Sequence, residues 1–156
     1  MIDLHRILVP TDFSKHSHNA LTYAVSFAEK FGAEIHLLHV VQDFAVFFPD
    51  PIAAGAPGFP PADHLTAAVR AALDRTVREH KQLQQLRVHA EAREGTPYHE
   101  IVDYARENEI DLIIMGTHGR TGLAHLLLGS VVEKVVRRAP CPVLTVRDPE
   151  HEFVHD

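Results

Sequence analysis

Cysteine and tryptophan are nearly absent: one thiol, Cys141, and no indole in 156 residues. A single thiol closes no internal disulfide, which rules out a disulfide-stapled scaffold and suits a reducing compartment. Cys141 stands between Pro140 and Pro142 at the expected start of a strand, so a buried structural thiol is expected there rather than a nucleophile. Positive charge is also scarce. Fifteen Lys and Arg against 21 Asp and Glu leave a formal charge of −6. That balance argues against a general nucleic-acid binder and against adsorption to an anionic membrane surface. No apolar run approaches the ~20 residues of a membrane-crossing helix. The opening MIDLHRILVPTD enters an apolar strand at once and shows no targeting segment, so a soluble cytoplasmic protein is expected. Two phosphate-binding motifs are missing too. No G-x-x-x-x-G-K-[ST] occurs, and the first strand does not run into G-x-G-x-x-G, which removes the P-loop and dinucleotide folds.

What is present suffices for one domain, since the apolar share is 46%. HRILVP (5–10) reads as a buried strand. A helix follows, with Ala20, Leu21, Ala24, Val25, Ala28 and Phe31 at helical spacing, Ser14 to cap it and Gly32 to end it. Residues 33–41 give a second strand. Residues 47–63 hold five of the ten prolines, which predicts a long loop, either a flap over a site or an insertion. Leu65, Ala68, Val69, Ala72, Leu73, Val77 and Leu83 mark a second amphipathic helix. Residues 86–94 alternate as an edge strand does. Thr96 and Pro97 open a third helix. DLIIMG (111–116) is the most continuously apolar strand and is expected inside the sheet, and 130–139 form a short helix with Val131, Val132, Val135, Val136 and Ala139 on one side. CPVLTVR (141–147) is the last strand. Strands alternating with helices predict an α/β fold: a single-domain, open, twisted, mainly parallel five-stranded sheet with helices on both faces. The domain spans 1–148, and 149–156 are a polar tail.

Ligands of such sheets sit beyond the carboxyl ends of the strands, where strand order reverses. Two strand ends carry suggestive residues: Pro10, Thr11 and Asp12 after the first, and the stretch GTHGRTGLAHLLLGSVVEK (116–134) after the fourth. Glycine lets backbone amides approach phosphate oxygens, and a helix N-terminus adds unpaired N–H groups. Gly129-Ser130 opens the last helix, so Ser130 is expected as a cap, a phosphate donor, or both. Arg120 and Lys134 make the stretch locally positive, and His118 and His125 lie within or beside it.

ILVPTDFS, LLHV, DLIIMGTHGRTG and GSVVEKVVRRAPCPVLTVR together resemble the universal stress protein family over nearly the whole chain. The most specific part is the G-x-x-G, nine residues, G-[ST] pattern of its ATP-binding branch, matched by Gly116, Gly119, Gly129 and Ser130. The resemblance implies a Rossmann-like, adenine nucleotide alpha hydrolase-like fold in which the first and fourth strands are neighbours. It implies that Pro10, Thr11 and Asp12 contact the ligand, Asp12 facing the ribose or a Mg²⁺ ion on the phosphates. Val40 would read the adenine through its backbone, with Met115 in the same apolar slot. Gly116, Thr117, His118, Gly119, Arg120, Thr121 and Gly122 would wrap ribose and phosphates, and Ser130, Val131 and Val132 would close on the phosphate tail. It also implies a homodimer paired through the last strand (142–147).

The thirteen histidines invite a metal reading. His16 and His18 diverge on a helix, His36 and His39 point to opposite faces of a strand, and neither H-E-x-x-H nor a cysteine cluster occurs, which argues against structural zinc. No nucleophile has a companion base at readable spacing. The leading expectation is an ATP-binding stress-response protein that senses nucleotide and acts through an unidentified partner protein. A dimeric interaction module that makes no use of nucleotide and a slow Mg²⁺-dependent ATPase stay open beside it.

Overall fold

Three apolar runs become strands buried on both faces of a sheet, and two more strands flank them at its edges. A computed structural model of the chain describes residues 1–42, 62–118 and 129–147. The loop at 47–61, the site residues Gly119, Arg120, Thr121 and Gly122, His125 and the tail 149–156 lie outside those residues. The elements are β1 (Arg6–Pro10), α1 (Lys15–Phe31), β2 (Glu34–Val41), α2 (Ala62–Glu79), β3 (Val88–Glu94), α3 (Pro97–Glu107), β4 (Leu112–Gly116), α4 (Ser130–Arg138) and β5 (Val143–Val146). The strand order is β3-β2-β1-β4-β5, and every pairing is parallel. β1 and β4 are therefore neighbours, and strand order reverses between β1 and β4.

The two-residue period of a strand sorts the core into two layers. Ile7, Val9, Ile35, Leu37, Leu112 and Ile114 pack on one face with the apolar stripes of α1 and α2. Leu8, Leu38, Ile113 and Met115 pack on the other with α3 and α4. Every residue of β4 is buried, as its unbroken apolar run requires. Full burial of one such side chain contributes about 1.5–3 kcal/mol. β3 is an edge strand and β5 the other, and β3 has no buried residue.

The ends of α1 follow the local signals. The Ser14 side chain accepts a hydrogen bond from the Ser17 N–H, and Gly32, at φ 71°, lets its own N–H reach the Ala28 carbonyl at 2.8 Å. Elsewhere the period misleads by a turn or less. Phe31 is 37% exposed and stacks beside Phe27, at the rim of the helix face rather than on it. Ala68 is exposed, whereas Val69 and Leu73 carry the buried stripe of α2. Helix α2 also starts at Ala62, inside the expected proline-rich loop. Leu83 is buried but belongs to a separate 3₁₀ turn, Leu83–Gln85. Thr96 occupies the cap position of α3 without a capping hydrogen bond, and Pro97 takes the first turn. On α4 only Val132 and Val135 are buried, and Val136 is 46% exposed. Cys141 is half-buried, and burial, then the charge of Asp111, pushes its thiol pKa up. It stays a protonated packing group, not a nucleophile.

Candidate nucleotide site

A cavity of about 430 Å³ opens beyond the carboxyl ends of β1, β2 and β4. Pro10, Thr11 and Asp12 reach it because β1 ends at Pro10 and α1 starts only at Lys15. The turn between them is rigid. The Thr11 amide donates to the Leu38 carbonyl, its hydroxyl oxygen accepts from the Phe13 N–H at 3.0 Å, and Asp12 Oδ1 accepts from the Ser14 N–H at 3.0 Å. Phe13 sits at φ 62°, a left-handed conformation costly for a side chain of this size. Its ring stacks on His39, 4.8 Å between centroids, and His39 Nδ1 lies 2.7 Å from the Thr11 carbonyl oxygen. Both rings line the cavity, and neither is among the residues expected there. The signal is a histidine placed one residue before Val40, near the carboxyl end of a strand that neighbours β1.

Val40 and Met115 form an apolar wall together with Leu38 and Ile101. Gly116, His118, Gly129, Ser130, Val131 and Val132 complete the opposite rim. Thr117 is set apart. It is 2% exposed, its N–H donates to the Val146 carbonyl, and its hydroxyl lies 3.0 Å from His118 Nδ1, so it holds the wall from behind.

Two of the three glycines of the pattern have duties within the fold. A Cβ on Gly116 would lie 2.8 Å from the His16 carbonyl oxygen, so the end of β4 can approach the first turn of α1 only as glycine. The Gly129 N–H donates to the Thr117 carbonyl at 2.7 Å, closing the stem of the stretch that runs between them. Gly129 is also the cap residue of α4, with extended backbone, and Ser130 is the first helical residue rather than the cap. The first intrahelical bond is Glu133 N–H to Gly129 carbonyl. The amides of Ser130, Val131 and Val132 therefore precede the helical ladder and carry the positive end of its dipole. Lys134 lies over the Tyr98 ring at 4.8 Å and does not line the cavity.

Among the described residues Asp12 is the one carboxylate on this wall, and no lysine or arginine lines it. An apolar slot beside first-turn helix amides suits a ligand with an aromatic ring at one end and an anion at the other. A second depression, of about 480 Å³, lies at the amino ends of the strands. It is lined by His5, Arg6, Glu34, Arg87, Glu109 and Asp111 and offers no apolar wall to an organic ligand.

Fold and cavity define the class: a single-domain α/β protein of the Rossmann-like, adenine nucleotide alpha hydrolase-like type. Within that class the chain belongs to the universal stress protein family, whose profile matches residues 4–147. It is 35% identical over 150 residues to universal stress protein MJ0531 of Methanocaldococcus jannaschii, covering 94% of this chain and 84% of that one. The solved structure of hypothetical protein MJ0577, from the same organism, superposes with a TM-score of 0.80 at 30% identity over 96% of this chain and all of the other. A universal stress protein solved in complex with cAMP shares the fold, with a TM-score of 0.66 at 23% identity over 94% of this chain and 99% of that one. Among the described residues no helix is long and apolar enough to cross a membrane.

Proposed function

We propose that this protein binds an adenine nucleotide, ATP in preference to its shorter forms, in the cavity between β1, β2, β4 and α4. It acts in the cytoplasm as a nucleotide-dependent regulator of a partner protein. The observation that carries the reading is the junction of the apolar slot formed by Val40 and Met115 with the free first-turn amides of α4. The base stacks in the slot, its edge read by the Val40 backbone. The phosphates lie against the amides of Ser130, Val131 and Val132, and the family pattern adds Gly119, Arg120, Thr121 and Gly122 as further contacts. Asp12 offers a hard oxygen donor on the cavity wall, and one of its oxygens is already fixed by the Ser14 amide. That fits Mg²⁺, which takes one or two carboxylates and completes its shell with phosphate and water. The ion would neutralise phosphate charge there. A second copy pairs along β5, an edge strand bearing half-buried Val143 and Leu144.

Thermal unfolding of nucleotide-stripped protein against ATP, ADP and AMP, with and without Mg²⁺, tests this. Ligand at about 100 times its dissociation constant adds ~2.7 kcal/mol. A saturable shift, largest for ATP and lost in Gly129→Val, is the expected result. Gly129 has φ −67°, which valine adopts freely, so the variant's backbone is not strained at this position. One observation favours a second reading. Gly116 is explained by a close contact within the fold, as it would be in a dimeric interaction module without nucleotide. No shift with any nucleotide selects that module.

A further inference from the structure

We propose a second ligand site, for a borderline divalent cation of which zinc is the best match, made by Glu34, His36 and His89 at the amino end of the sheet. The parallel register places His36 opposite His89, so both side chains leave the sheet on the same face. Glu34 precedes His36 by two residues on β2 and shares that face by the strand period. One ligand atom from each residue can be chosen so that all three lie within 4.8 Å of one another. His36 Nε2 is 3.4 Å from Glu34 Oε1, and His89 Nε2 is 3.8 Å from Glu34 Oε2. Tetrahedral zinc with bonds of about 2.0–2.2 Å holds its ligand atoms roughly 3.3–3.6 Å apart. The separation of His36 Nε2 from Glu34 Oε1 is already near that figure, and the exposed ring of His89, which now faces the other carboxylate oxygen, turns inward to complete the set.

The buried member is prepared for the role. His36 is 5% exposed, and its Nδ1 lies 2.8 Å from the Tyr104 hydroxyl. Burial lowers its pKa despite the opposing pull of Glu34, so it is a neutral imidazole at neutral pH, the form that binds metal. Without a cation, Tyr104 O–H donates to Nδ1 and Nε2–H points to Glu34 at the long limit of a hydrogen bond. With a cation on Nε2 the proton resides on Nδ1 and the tyrosine hydroxyl accepts it, with no net proton released. An outer hydrogen bond of this kind fixes the tautomer of a ligating histidine.

The donor set selects the ion. Two imidazoles and a carboxylate suit zinc, copper or nickel and not magnesium or calcium, which need oxygen. Two guanidiniums compete for Glu34: Arg6 Nε at 3.3 Å and an Arg87 terminal nitrogen at 3.6 Å. Arg87 is 76% exposed and can swing into water, and Arg6 keeps the Glu109 carboxylate and the Asn108 carbonyl. A cation here ties edge strand β3 to β2 and gives the protein an input separate from the cavity at the other end of the strands.

Calorimetric titration of the full chain with zinc chloride alone, no nucleotide present, tests the site. Saturable binding of one ion is expected, with affinity at least 10-fold weaker in His89→Ala and in Glu34→Gln. Tyr104→Phe should weaken it by about 10-fold through the outer hydrogen bond. His99→Ala, an exposed histidine on α3, should bind as the parent does. His89 is exposed, so its removal leaves the fold intact, and circular dichroism checks this. Absence of saturable binding, or equal affinity in the parent and His89→Ala, overturns the proposal.

Discussion

The two ends of one sheet are built in opposite ways. At the amino end side chains satisfy one another. Asp111 Oδ2 accepts from the backbone N–H groups of His5 and Arg6, and Glu34 lies among Arg6, Arg87, His36 and His89. At the carboxyl end the main chain is presented instead: the turn Thr11–Ser14, the close approach at Gly116 and the first amides of α4 surround an apolar slot. In a parallel sheet all carboxyl ends lie on one side, so variable loops and helix N-termini gather there. Charge at the opposite end locks the strands in register. The apolar slot and the charged anchoring of the sheet are thus separated by the length of a strand.

The largest effect should come from breaking the open end. Gly116→Val drives a Cβ to within 2.8 Å of the His16 carbonyl, which is backbone and cannot turn away. Separation of β4 from α1 should cost about 1–3 kcal/mol, read by urea unfolding. It should also lower nucleotide affinity, because the same residue lines the cavity. An unchanged midpoint would mean that α1 moves freely over β4. Next comes the linked end. Tyr104→Phe removes the partner of His36 Nδ1 and should cost about 1 kcal/mol. Charge is unaffected, since burial and then Glu91 push the Tyr104 pKa up to about 12.

Acid should weaken the linked end in two steps. The His36 pKa is lowered in the folded state, chiefly by burial, so below its unfolded value of ~6.5 the unfolded chain takes up a proton that the folded chain refuses. The Glu34 pKa is also lowered. Burial opposes the shift, but the hydrogen bond to His36 and the charges of His36, His89 and Arg87 outweigh it. Stability from both groups is therefore present above their unfolded values and falls with pH, first below ~6.5 for His36, then below ~4.5 for Glu34. His36→Gln should flatten the upper part of that slope in denaturant unfolding at pH 7.5, 6 and 5. Parallel slopes in parent and variant would remove His36 as the source.

How much of this could be read from the chain depends on the distance over which a contact acts. The alternation of elements, the Ser14 and Gly32 ends of α1 and the unbroken burial of β4 are local, and residue type and period carry them. The slot at Val40 and Met115 came through the family resemblance, which carries register that spacing alone lacks. The reason for Gly116 lies in His16, a hundred residues earlier, and no local pattern contains it. Within its own strand His36 diverges from His39. Pairing across β2 and β3 brings His36 to His89 instead. The role of Ser130 as a cap failed for a local reason, because Gly129 already holds the extended cap conformation.

That displacement by one position sets up the smallest effect and the finest test of the open end. Ser130 is exposed, it is the first helical residue rather than the cap, and its amide remains when the side chain is cut back. Ser130→Ala should shift stability by less than about 0.5 kcal/mol. If the helix amides hold the phosphates, ATP affinity should fall by less than about 10-fold, the equivalent of one neutral hydrogen bond. Calorimetry of the parent, Ser130→Ala and Gly129→Val side by side reads the difference. A small loss in the first variant and a large one in the second is the signature of main-chain recognition. A loss of about 100-fold or more in Ser130→Ala would instead make the hydroxyl the principal donor. The carboxyl end would then depend on side chains as the amino end does, and the contrast between the two ends would fail at the position that defines the helix start.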